Sequence, residues 1–77
     1  AADNEAQLSV AERDQLTRAA SLAETRYRAG LASFLEVLEA RRAADASGER
    51  AAAALGRAQR ARIVLWQALG GEPGSAN

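Results

Sequence analysis

Apolar residues return every three or four positions over two long stretches of this chain. In the first, about residues 4–29, Leu8, Ala11, Ala19, Leu22, Ala23 and Tyr27 share one side of a helix, and Leu16 and Ala20 widen the stripe. No proline or glycine interrupts it. The first seven residues are polar, and fraying is expected there. The second stretch, about residues 33–69, spans roughly 50 Å as a helix. Its Phe34, Val37, Ala44, Ala51, Leu55, Ala58, Leu65 and Leu69 follow a 3-4 repeat like a coiled-coil seam, with Arg41, Gly48 and Arg62 in the gaps. A further stripe, Leu31, Leu35, Leu38, Ala52 and Trp66, lies partly off that seam and suggests neighbours on two sides.

Between the stretches the pattern breaks at Arg26-Tyr27-Arg28-Ala29-Gly30-Leu31-Ala32-Ser33-Phe34. Gly30 can take the left-handed conformation that ends a helix at little steric cost. Ser33 stands where the next helix needs an N-cap, and Glu36 three residues on completes the capping-box pattern. A connection at residues 30–32 makes the two helices antiparallel neighbours. The expected fold class is therefore all-α: a two-helix coiled-coil hairpin, one domain over residues 1–77. Gly70-Gly71 followed by Pro73 ends the second helix, and residues 70–77 read as a flexible tail or the start of a linker.

Composition narrows the function. The chain has no Cys and no His, and its ten Lys plus Arg, all Arg, balance ten Asp plus Glu. Disulfides and thiolate metal sites are excluded, and the commonest general base is missing. Zero net charge gives no reason to expect nucleic acid as a partner. No apolar run reaches the ~18 residues of a membrane-spanning helix. Much of the apolar content is alanine, so a lone hairpin has a thin core, and self-association or packing within a larger protein is expected.

The candidate chemistry is sparse. Asp14–Arg18 and Glu24–Arg28 are acid-then-base pairs at the i,i+4 spacing. Glu36 and Glu39 are the one acidic pair near a singular feature, but catalysis needs a pocket that separates their pKa values. A thin hairpin encloses none. Capping for Glu36 and a solvated pair with Arg42 for Glu39 are the plainer readings, and no enzyme activity, cofactor or metal is expected. Arg26, Arg28, Arg41 and Arg42 surround these acids, and Tyr27 and Phe34 sit beside them. That combination reads either as turn packing or as a recognition surface at the tip. Close helix approach and simple helix weakening are both open for Gly48 and Gly56.

The order Leu22-Ala23-Glu24-x-Arg26-Tyr27-x-x-Gly30-x-x-Ser33-x-x-x-Val37-Leu38-Glu39-Ala40-x-Arg42, with Leu65-Trp66-Gln67-Ala68-Leu69-Gly70-Gly71 later, resembles the C-terminal repeat of the outer-membrane efflux proteins. These are the TolC-like channels of tripartite pumps and type I secretion. The likeness covers about residues 16–71.

The resemblance implies a homotrimeric channel in the outer membrane of a Gram-negative bacterium. Its periplasmic part is an α-barrel of long antiparallel helices, to which this hairpin would contribute. The tip, with Tyr27, Arg28, Gly30, Leu31, Ser33 and Phe34, would meet the periplasmic adaptor (membrane fusion) protein. Glu36 and Glu39 would match acidic positions at the channel entrance. The residues after the glycine, Leu31-Ala32, depart from members that carry a basic residue there, so a gate salt-bridge network does not carry over. The chain lacks the first repeat and any transmembrane strand signal, so the expectation is a fragment that self-associates. The alternative is a stand-alone helical-hairpin dimerisation module. An adaptor hairpin ranks lower, because no lipoyl-type β sequence flanks it.

Overall fold

The computed structural model describes residues 1–70. Helix α1 spans Ala2–Arg28 and helix α2 spans Phe34–Ala68. They fold back on each other as an antiparallel hairpin, a flat rod of 62 × 23 × 13 Å. The all-α hairpin read from the sequence is what forms. The tail expected after Gly70 lies outside the described residues.

Local chemistry sets the ends. Gly30 takes φ +78°. Its N–H donates to the Tyr27 carbonyl at 2.9 Å, and the Leu31 N–H donates to the Arg26 carbonyl at 2.8 Å. This is the paired bonding of a Schellman C-cap, which satisfies two carbonyls that α1 would otherwise leave open. Ser33 is the N-cap of α2, and its Oγ accepts the Glu36 N–H at 3.1 Å. No bond from the Glu36 carboxylate back to the Ser33 N–H accompanies it, so half of the expected box forms. Gly70, at φ +89°, donates its N–H to the Gln67 carbonyl at 3.0 Å, as Gly30 does to Tyr27 at the end of α1. The first turn of α1 begins at Ala2, ahead of the expected start. Asp3 and Glu5 favour that helix N-terminus, and the burial of Ala6 anchors it.

The seam between the helices differs from the one the hydrophobic pattern favoured. On α2 the row Val37, Ala44, Ala51, Ala58 does face α1, with Val37, Ala51 and Ala58 buried. Its companion row is Ala40, Ser47 and Ala54, of which Ser47 and Ala54 are completely buried. The expected companions Phe34, Leu55 and Leu69 are exposed, and so is Leu65. The reason is charge. The row that carries Phe34, Leu55 and Leu69 also carries Arg41 and Arg62, and burying it would strand two guanidinium groups. Alanine and serine are small enough to let two helices approach closely at a seam. Ser47 fits because its hydroxyl donates to the Ala44 carbonyl of its own helix at 2.8 Å.

On α1 the correction is similar. Ala6 and Ala20 are buried and Leu16 and Ala23 half-buried, whereas Leu8, Ala11, Ala19 and Leu22 face outward. The buried core is thus alanine, one valine and one serine. Each alanine brings a single methyl, about 0.8 kcal/mol of transfer free energy by the usual increment, against several such groups for leucine.

Ion pairs frame this narrow seam on both sides. On one flank Arg57 Nε donates to Glu5 Oε1 at 2.8 Å and Arg50 donates to Glu12 at 2.7 Å. On the other, Arg62 donates to Asp3 at 2.8 Å and Arg41 to Glu24. Along each helix, partners on one flank recur at whole multiples of the seven-residue repeat, the spacing at which positions beside a coiled-coil seam meet. In every rung the acid is on α1 and the arginine on α2.

Candidate functional site

The tip follows from its capping. Gly30 and Ser33 pair the backbone groups of the turn locally. Tyr27, Leu31, Phe34 and Leu35 are all exposed, Leu31 at 69% and Leu35 at 61%. The Tyr27 and Phe34 ring centroids lie 5.6 Å apart with their planes tilted by 52°, an aromatic contact between the last turn of α1 and the first of α2. Arg26 reaches across the turn to the Leu31 carbonyl at 3.2 Å. The result is an exposed apolar crown on a turn whose backbone groups are paired, bordered by arginine.

The structure brings together Tyr27, Gly30, Leu31, Ser33 and Phe34 as the pattern placed them. Arg28 turns away from the crown, toward Glu24 at 3.6 Å. The Glu24–Arg28 pair read from spacing therefore forms, while Asp14 pairs with Arg13 at 2.9 Å and not with Arg18. Glu36 and Glu39 are exposed on the first turns of α2, and no ion pair joins Glu39 to Arg42. The hydrophobic pattern places Leu35 only in a stripe and not at the tip. Its signal was its place one residue from Phe34, beside a capped turn.

Elsewhere the surface offers no enclosed chemistry among the described residues. A trough on the flank of Asp3 and Glu24 is floored by Ala20, Ala44, Gly48 and Ala52 and lies open to solvent. No cluster of three or more acidic, His or Cys side chains could hold a metal ion among the described residues. No described helix is long and apolar enough to cross a membrane. No family model matches the chain, and comparison with curated proteins and with solved structures returns no similar protein.

Proposed function

We propose that this hairpin belongs to a TolC-like outer-membrane channel, with its tip as the docking surface for the periplasmic adaptor protein and Glu36 and Glu39 at the channel entrance. One observation carries the reading: the apolar crown of Tyr27, Leu31, Phe34 and Leu35 is exposed on a turn capped at both helix ends. Exposed aromatics held in fixed geometry bind partners at low entropic cost. The motif order around Gly30 supports it. So do the outward apolar residues on both helices, since a barrel helix touches a neighbour on each side.

These 77 residues hold no cysteine, so one introduced here is the segment's single thiol. In the source cell, cysteine at Leu31 should crosslink to a periplasmic adaptor, and cysteine at exposed Ala53 should not. Leu31→Asp should abolish transport without altering channel assembly. Normal transport by Leu31→Asp would overturn the tip assignment.

A second reading, a self-associating hairpin module, draws on the same thin alanine seam. Membrane fractionation with an antibody to this segment separates the two. A band several-fold larger in the outer-membrane fraction supports the channel, and a soluble species of about 8.1 kDa supports the module.

A further inference from the structure

The flank that carries Glu5–Arg57 and Glu12–Arg50 has a fixed polarity, with the acids on α1 and the arginines on α2. Followed onward by sevens, the same flank sets Ala19 opposite Ala43 and then Arg26 opposite Glu36. Arg26 and Glu36 form no ion pair with each other in the hairpin. Along the α1 edge of this flank the repeat places Leu8 and Leu22, which are 64% and 60% exposed. Along the α2 edge it places only small apolar residues, half-buried Ala46 and exposed Ala53.

We propose that this flank is an interface between two copies of the hairpin, related by a two-fold axis along the rod, with both tips at the same end. Three observations select that occupant and that axis. The first is charge. A two-fold along the rod lays α1 of one copy over α2 of the other at equal height. Glu5 then meets Arg57 of the second copy, Glu12 meets Arg50, and Arg26 meets Glu36, so every charged rung faces its own inverse. A two-fold across the rod stacks α1 on α1 and α2 on α2. At best that sets Glu5 against Arg26 and Arg57 against Glu36, and it leaves Glu12 and Arg50 over alanines.

The second is shape. At equal height Leu8 comes to Ala53 of the second copy and Leu22 to Ala43, large on small in both layers, and the symmetry repeats each contact. The opposite flank is poorer. It carries Asp14 and Asp45 at the corresponding edges, and the same axis would cover those carboxylates with no arginine above them.

The third is area, counted on this one face. From Glu5 to Arg26 the flank runs roughly 30 Å, and two packed helices are roughly 20 Å wide. That is ~600 Å² per copy, which places the pair at the low end of specific interfaces.

The inference rests on the self-association of the second reading above and not on the channel. It is tested on the 77-residue chain. Sedimentation should show a monomer below about 5 μM and a dimer in the tens of micromolar, so thermal unfolding in the low micromolar range reports the single hairpin. Small-angle scattering of the dimer should keep the 62 Å length and about double the 13 Å thickness. Leu22→Asp should weaken the dimer more than about tenfold with helix content unchanged, and Leu55→Asp, on the opposite flank, should leave it intact. Spin labels on a cysteine at Ala29 should lie within about 25 Å of each other, whereas the axis across the rod sets them ~40 Å apart. A monomer at high micromolar concentration removes self-association and the proposal together. A dimer that survives Leu22→Asp, or labels ~40 Å apart, overturns the proposal while self-association stands.

Discussion

Glu24 of α1 accepts hydrogen bonds from the guanidinium of Arg41 on α2, and the Asp3–Arg62 pair repeats that relationship near the other end of the hairpin. The two rungs share one flank and are separated by three seven-residue repeats on each helix. Pairs placed this way select the register and the antiparallel orientation of a seam whose alanines discriminate poorly between alternatives. Glu24→Arg alone should lower stability and Arg41→Glu alone should do likewise, while the double exchange should recover part of the loss. For partly exposed pairs the coupling should be about 0.2–1 kcal/mol and should shrink with added salt. Urea unfolding of the four proteins at one fixed concentration measures it. A coupling of zero at low salt would remove these pairs from the account of register.

The identity of the true seam makes a contrast of two leucines. Ala54 is fully buried and the adjacent Ala53 is exposed. Ala54→Leu should force the helices apart and cost about 1–3 kcal/mol, whereas Ala53→Leu should stay within about 0.5 kcal/mol of the parent. Thermal unfolding by circular dichroism reads both. Equal effects would mean that the helices pack on another face.

Gly48 lies in mid-helix, and a Cβ built on it would meet no atom within 4 Å. The close-packing reading of this glycine therefore has no support inside the hairpin, and its helix-weakening cost remains. Gly48→Ala should stabilise the chain by about 1 kcal/mol. For a domain of this size that raises the melting temperature by roughly 4–8 °C. A lower melting temperature would show that something outside the hairpin uses the space above Gly48.

The turn gives a paired test. Ser33→Ala removes the acceptor of the Glu36 N–H and should cost about 1 kcal/mol. Gly30→Ala places a side chain at φ +78° and should cost about 1–2 kcal/mol. Amide exchange should speed up at Glu36 in Ser33→Ala and at Leu31 in Gly30→Ala, since these are the N–H groups the turn holds. Unchanged exchange would show that the tip does not depend on its caps.

Features that depend on a few neighbouring residues can be read along the chain. Gly30, Ser33 and Gly70 mark helix ends because backbone conformation and capping are local, so the two helices, the turn and the antiparallel fold were legible. The exposure of the tip was not legible: Tyr27 and Phe34 lie on the apolar stripes of their helices, and only the folded hairpin leaves them outside the seam. The choice of seam was decided only by the tertiary structure. Ala40, Ser47 and Ala54 carry almost no hydrophobic signal along the chain, whereas Phe34, Leu55 and Leu69 carry a strong one. Arg41 and Arg62 share the row of the larger residues and find their acids on α1 only after folding. Whether a row can be buried depends on what stands opposite it, and that is a property of two helices together.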